Sequence, residues 1–209
     1  SPCPAVLRGY PTFGCFNNLA KVNTVVVAGW AKILHGVPGA RLVLKTYALN
    51  DHATRDRYRS LFQGHGISSE RVDLLGSSPH AELLAHYGQI DIALDPFPYC
   101  GGWSTCEALW MGAPVVTLTG TSFSACGGAG LLARVGLPQM IAGSVEQYVE
   151  CAVRLGRDVE GLARLREGLR ARMVASPLCD ATTFTHHLEQ AYRVMWRRWC
   201  ADDSGTVKG

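Results

Sequence analysis

A parallel α/β sheet covered by helices on both faces is the fold class predicted by this 209-residue sequence, and three observations predict it. Short apolar runs recur at 12–16 (TFGCF), 41–46 (RLVLKT), 72–75 (VDLL), 92–94 (IAL) and 115–118 (VVTL). Stretches with apolar residues at helical spacing separate them. Each run is short and apolar rather than alternating, as strands buried on both faces are.

The first run leads through Asn17, Asn18 and Lys21 into a helix capped at Asn23 or Thr24. That helix runs to His35, with Gly36 just past its end and Val26, Trp30, Ile33 and Leu34 on its apolar face. Pro38-Gly39 turns into the second strand, 51–63 is a helix closed by Gly64-His65-Gly66, and 79–87 is a short helix after the third strand. Asp95 opens a Pro- and Gly-rich loop after the fourth strand. Gly101-Gly102 turns that loop into a helix, and Pro114 ends the helix before the fifth strand. Beyond it the pattern predicts a helix at 127–135, a short strand at 140–141 and amphipathic helices at 144–155, 159–174 and 182–199. The first of these has a capping box at Ser144 and Gln147. Residues 202–209 (DDSGTVKG) read as a frayed tail. No internal repeat is visible.

Composition narrows the function classes. With 47% hydrophobic and 18% charged residues the chain can bury a sizeable core. A net charge of +3 is too small and too dispersed for a nucleic-acid binder, and the arginines at 154–172 and 197–198 fall on helices as solvated faces. The eight cysteines form no CxxC pair and no metal-ligand spacing with His, which predicts a reduced, cytoplasmic chain. No apolar run approaches the ~20 residues of a membrane span, and no signal peptide is visible. The sequence opens Ser1-Pro2-Cys3-Pro4 without Met and is expected to be a piece of something larger.

In parallel sheets ligands sit beyond the carboxyl ends of the strands. The polar turns there hold Asn18 and Lys21, residues 77–80, 95–107 and 120–128. The loop at 100–107 is the strongest: a strand, Gly101-Gly102, then a helix opening with Trp103, Ser104, Thr105 and Glu107. Free N–H groups and the positive end of the helix dipole suit anionic oxygens there. A tight loop with an ordinary helix start explains Gly-Gly-x-Ser-Thr equally well in isolation. Glu107 reads as a dipole complement or an acceptor for ribose hydroxyls, and Lys21 as a surface lysine or a phosphate contact. His80 reads as a helix-start residue or a ligand contact, and Trp103 as a stacking ring or a wedge. His186 and His187, adjacent on one helix, face different ways, which argues against a shared metal. No GxGxxG follows the first strand. Gly127-Gly128-Ala129-Gly130 lacks the Lys of a P-loop, and neither GxSxG nor HExxH occurs.

Three collinear blocks carry a family resemblance: FNNLAK at 16–21, DIALDPFPYCGGWSTCEALWMGAPVVTL at 91–118 and SPLCDATTFTHHLEQAYRVMW at 176–196. Together they resemble the O-linked N-acetylglucosamine transferases, including their bacterial SPINDLY-like members, from about Tyr10 to Trp199. The resemblance implies a two-lobed GT-B fold, with residues 1–201 as the C-terminal lobe that binds a UDP-sugar, and inverting transfer to Ser or Thr hydroxyls of proteins. It implies neither metal nor cofactor, an N-terminal lobe, and TPR repeats before the catalytic region. The catalytic lysine falls on Lys21, the amide of the same motif on Asn18, and the uridine-contacting position on His80. The phosphate-binding hydroxyl positions fall on Trp103 and Ser104, and the ribose acid on Glu107. Gly101, Gly102 and Thr105 complete the donor loop. Three positions depart from the bacterial pattern: Cys100 replaces an asparagine, Trp103 a hydroxyl residue, and Cys126 with Gly127-Gly128 an arginine. Each lost anion contact is expected to cost about 1–3 kcal/mol where a charged partner is left unpaired. Two other readings stand beside this one: a binding scaffold that keeps the fold without the chemistry, and an enzyme of the same fold with another donor or a small-molecule acceptor.

Overall fold

Six strands form one all-parallel sheet in the order β3-β2-β1-β4-β5-β6 in the computed structural model, which describes residues 2–203. In chain order the elements are α1 (Pro4–Arg8), β1 (Thr12–Cys15), α2 (Thr24–Gly36), β2 (Arg41–Lys45) and α3 (His52–Gly64). Then come β3 (Val72–Leu75), α4 (His80–Tyr87), β4 (Ile92–Leu94), α5 (Trp103–Trp110) and β5 (Val115–Leu118). The chain continues with α6 (Phe123–Arg134), β6 (Ile141–Ala142), α7 (Val145–Arg157), α8 (Val159–Val174) and α9 (Ala181–Asp203). Strand order reverses between β1 and β4, so the crevice of a doubly wound sheet opens at the carboxyl ends of those two strands.

The sheet buries both faces because its strands carry apolar side chains on both. One core layer gathers Phe13, Leu42 and Leu44 with Trp30 and Ile33 of α2, Phe62 of α3 and Tyr148 of α7. The other gathers Val43, Ile90 and Val115 with Tyr87 of α4, Leu109 of α5, Leu132 of α6 and Leu169 of α8. Burying one such Leu or Phe fully contributes roughly 1.5–3 kcal/mol. Between β2 and β4, Gly14 leaves room for Ile90: a Cβ at Gly14 would come 2.6 Å from the Ile90 Cδ1.

The strands fall where the apolar runs predict them, with β6 one residue later than 140–141. Asn23, rather than Thr24, caps α2: its Oδ1 accepts from the Val26 N–H at 3.0 Å. Ser144 caps α7 by accepting from the Gln147 N–H, but Gln147 returns to the Gly143 N–H rather than to its cap residue. Three elements differ from expectation by more than two residues. The sequence reading omits α1, a turn with Pro4 at its start and Gly9 in the left-handed region (φ 78°) at its end. It also starts α6 at 127, whereas the helix begins at Phe123 behind an extended Ser122, so Gly127, Gly128 and Gly130 lie inside it. The missed opening turn, 123–126, carries no capping side chain that would mark a start: Ser122 makes no side-chain cap hydrogen bond. Packing decides instead: a Cβ at Gly128 would come 2.5 Å from both the Asp95 Oδ2 and the Thr117 Oγ1. At the other end α9 runs to Asp203, past the expected boundary at 199, so residues 202 and 203 of the expected tail are helical. The rest of that tail, 204–209, lies outside the described residues.

Candidate active site

Three turns meet at the carboxyl edge of β1, β4 and β5. After β1 the chain makes a single 3₁₀ turn, Leu19–Lys21, closed by the Asn18 side chain, which accepts from the Ala20 N–H at 2.9 Å. The turn lifts Lys21 toward the loop after β4. Its Nζ donates to the Cys100 carbonyl at 2.9 Å, lies 3.4 Å from the Asn17 Oδ1 and sits 4.2 Å above the centre of the Tyr99 ring. The Asn17 Oδ1 also accepts from the Ser104 hydroxyl at 2.9 Å. Thus Asn17, buried where Asn18 is exposed, joins the lysine turn to the start of α5.

Helix α5 starts at an N-cap, Gly102, with no side chain to satisfy its first turn. The N–H groups of Trp103, Ser104 and Thr105 therefore have no intrahelical acceptor, and the dipole end is uncapped beside the ammonium of Lys21. Gly101 is required where it stands: a Cβ there would come 2.5 Å from the Thr105 Oγ1, 2.6 Å from the Asp95 Oδ1 and 2.8 Å from the Ser104 Oγ. Thr105 is buried, and its hydroxyl has no hydrogen-bond partner among the described residues. It lines a small cavity with Asn17, Asp95, Ser104 and Tyr87. The Tyr87 hydroxyl donates to the Ser104 carbonyl at 3.2 Å, and burial pushes its phenol pKa well up.

One turn along α5, Glu107 is 9% exposed and its Oε1 lies 2.7 Å from the Nε2 of His80, the first residue of α4. That pair opens onto an apolar groove lined by Leu84, Trp103, Cys106, Trp110, Met173 and Leu178. Trp103 is 77% exposed. The site residues expected from sequence thus fall into two linked groups. Lys21, Gly101, Gly102, Ser104 and Thr105 surround the uncapped helix start. His80 and Glu107 form a pair beside it, with Trp103 at the rim. Asn18 faces solvent with its carbonyl oxygen committed to its own turn.

Three contributors were not singled out in the sequence. Asn17 and Tyr99 hold Lys21, and Asp95 lies beneath the loop, 1% exposed. Asp95 Oδ1 accepts from the Gly101 N–H at 2.6 Å and Oδ2 from the Thr117 hydroxyl at 2.9 Å. Burial outweighs these bonds and Lys21, and pushes its pKa from 3.8 up to about 6. The signal available in the sequence was its position, a carboxylate directly after a buried strand. The departures also read differently in three dimensions. Cys100 is buried beneath the loop, its thiol donating to the Ser124 carbonyl at 3.0 Å and accepting from the Gly128 N–H at 3.1 Å. Cys126 is exposed on the first turn of α6, its thiol on the Gly120 carbonyl. Among the described residues no three His, Cys, Asp or Glu side chains gather to hold a metal, and no helix is long and apolar enough to cross a membrane.

An all-parallel sheet of this order, with glycine turns and an uncapped helix at its carboxyl edge, defines a doubly wound fold of the nucleotide-binding class. The chain belongs to glycosyl transferase family 41, whose family model matches residues 10–188. It is 44% identical over its whole length to a protein of Petunia hybrida named probable UDP-N-acetylglucosamine–peptide N-acetylglucosaminyltransferase SPINDLY, and spans 22% of that relative's length. Among solved structures, a mutant O-GlcNAc transferase of Thermobaculum terrenum superposes with a TM-score of 0.89 at 44% identity. The match covers 93% of this chain and 38% of that one. A sucrose-phosphate synthase from Thermosynechococcus elongatus, 20% identical with a TM-score of 0.61 over 93% of this chain and 49% of its own, shares the fold. The sheet and its helices are those of a GT-B lobe.

Proposed function

We propose that residues 1–201 are the donor-binding, C-terminal lobe of an inverting protein O-glycosyltransferase that takes a UDP-GlcNAc-like donor. The observation that carries this reading is the Lys21 ammonium, 2.9 Å from the Cys100 carbonyl, beside the uncapped start of α5. A cation and free N–H groups share one space, as a diphosphate requires. The family membership and the named activities of its relatives support the same reading.

In this account the oxygen of an acceptor Ser or Thr attacks the anomeric carbon from the face opposite the diphosphate. The bond to the diphosphate oxygen breaks, and UDP leaves with the electron pair. Lys21 and the N–H groups of α5 stabilise the charge that develops on it, with Ser104 and Thr105 offering hydroxyls to the phosphate oxygens. Gly101 and Gly102 let the backbone approach. Glu107 accepts from the ribose hydroxyls, His80 faces the base, Trp103 borders it, and Asn18 belongs to the lysine turn. The hydroxyl proton passes to a base on an N-terminal lobe, which also supplies most acceptor contacts, and TPR repeats recruit the protein acceptor. Neither metal nor cofactor takes part. The protein belongs to the reduced cytoplasm of a bacterium.

Lys21→Ala in the full-length protein tests this. Turnover is expected to fall by roughly 10²–10³-fold or more, as for removal of a key transition-state donor, with unchanged thermal melting. Activity close to wild type removes Lys21 from the mechanism.

A further inference from the structure

We propose that Asp95 is the positioning residue of the donor site: its buried carboxylate clamps the 95–102 loop from beneath and sets where Lys21 and the start of α5 stand. This rests on the donor-site reading above. The Oδ1 of Asp95 takes the Gly101 N–H, at 2.6 Å, and its Oδ2 takes the Thr117 hydroxyl, at 2.9 Å. One carboxylate therefore bridges the glycine turn to β5. Its own backbone carbonyl accepts from the Tyr148 hydroxyl at 2.9 Å, and Tyr148 is held in turn by the Trp30 indole N–H at 3.0 Å, so the clamp is anchored in α2 and α7. The glycines on either side are shaped to it: a Cβ at Gly101 would meet Oδ1 at 2.6 Å, and one at Gly128 would meet Oδ2 at 2.5 Å.

The consequence passes through the loop. With the Gly101 N–H turned inward, the adjoining Cys100 carbonyl accepts from Lys21, at 2.9 Å, and Ser104 reaches Asn17. Asp95 does not line the open face of the loop; it acts through Gly101. Around it stand Cys15 on β1, Lys21 on the turn after β1, Tyr87 on α4, Cys100 on its own loop and Tyr148 on α7. Burial pushes the Cys15 thiol up to about 12 and both phenols upward. At neutral pH these three stay uncharged, and Lys21 is the charged neighbour.

A charged Asp95 accepts from both donors. A protonated one has a hydroxyl to donate and a weaker acceptor to offer Gly101. Since burial raises its pKa to about 6, the clamp is expected to loosen as pH falls through that value. The test uses the full-length protein and UDP-GlcNAc, whose doubly esterified diphosphate does not titrate in this range as UDP does. Affinity is measured by calorimetry from about pH 5 to about pH 8, spanning the shifted carboxyl, alongside amide hydrogen exchange at Gly101 without ligand. Wild type is expected to lose about tenfold in affinity toward the acid end, with faster Gly101 exchange once the intrinsic pH dependence is divided out. Asp95→Asn keeps an acceptor for Gly101 and a partner for Thr117 but cannot titrate. It is expected to flatten both profiles, while Asp95→Leu leaves the Gly101 amide unprotected at every pH. An Asn variant that keeps the wild-type acid limb, or a Leu variant with wild-type Gly101 protection, overturns the clamp. Wild-type protein whose Gly101 exchange follows this pattern but which binds no UDP-GlcNAc upholds the clamp and sinks the donor reading instead.

Discussion

Two aspartates bracket β4, one at each end, and they make a useful comparison because both are almost wholly buried. Asp91, at the amino end, accepts from the Ala5 and Thr12 N–H groups, each at 2.8 Å, and from the Cys3 thiol. Its backbone carbonyl takes one Arg166 nitrogen at 2.8 Å. It ties α1, β1 and α8 together, all of them scaffold. Asp95, at the carboxyl end, holds one backbone N–H, that of Gly101, and one hydroxyl, that of Thr117. One carboxylate fastens permanent neighbours. The other fastens a glycine loop to the scaffold, where its charge state matters to the site.

The largest effect is expected from breaking the first. Asp91→Ala strands two buried N–H groups and leaves Arg166 without its neighbouring charge, although Nε and Nη2 of Arg166 already lack hydrogen-bond partners among the described residues. A loss of about 3–5 kcal/mol is expected in urea denaturation. A loss below about 1 kcal/mol would reduce Asp91 to an ordinary surface-like contact.

Asp95→Asn is expected to act in the opposite direction. The folded-state pKa is raised from 3.8 to about 6, so ionisation costs more in the folded state than in the unfolded one. Between those values the folded protein holds the extra proton, and stability falls as pH rises through the window. The penalty is complete above about 6 and absent well below 3.8. Removing it is expected to stabilise the protein by roughly 2–3 kcal/mol at neutral pH, and not at acid pH. Thermal melting of both proteins across the window checks the sign, and equal shifts at every pH would contradict it. Such a stabilised, less tunable variant is what a strained functional position predicts.

Gly128→Ala sharpens the same contrast from outside the loop. Its methyl would press on Oδ2 and on Thr117, at 2.5 Å each. A destabilisation of about 1–3 kcal/mol is expected, together with a shift in the Asp95 titration; unchanged titration would mean that α6 moves instead. The smallest stability effect belongs to Trp103→Ala. With 77% of that residue exposed, stability is expected to stay within about 0.5 kcal/mol, so any change in ligand affinity reads directly on the site.

Much of this arrangement was legible in the sequence because strand burial writes itself as apolar runs, and caps as Asn23 and Ser144. The helix start at Gly101-Gly102 was legible for the same local reason. What the sequence concealed depends on contacts far apart in the chain. Asn17 and Asn18 are adjacent and chemically identical, and only the 3₁₀ turn decides that Asn17 faces Ser104. Gly128 has no visible reason to be glycine until Asp95, more than thirty positions earlier, is seen to need the space. Cys100 looked like a lost ligand contact, but its thiol is turned under the loop onto α6. Asp95 itself stood in plain view, yet a carboxylate after a strand reads equally as a solvated turn residue.

The central claim, that the carboxyl edge of this sheet holds a nucleoside diphosphate, is tested most directly by calorimetric titration of UDP into the full-length protein and its Lys21→Ala variant at neutral pH. The account predicts saturable one-to-one binding by the wild type, weakened at least about tenfold when the ammonium is removed, as for loss of a charged contact. No detectable heat at millimolar UDP from a folded wild-type protein, or equal affinity in both proteins, would contradict it.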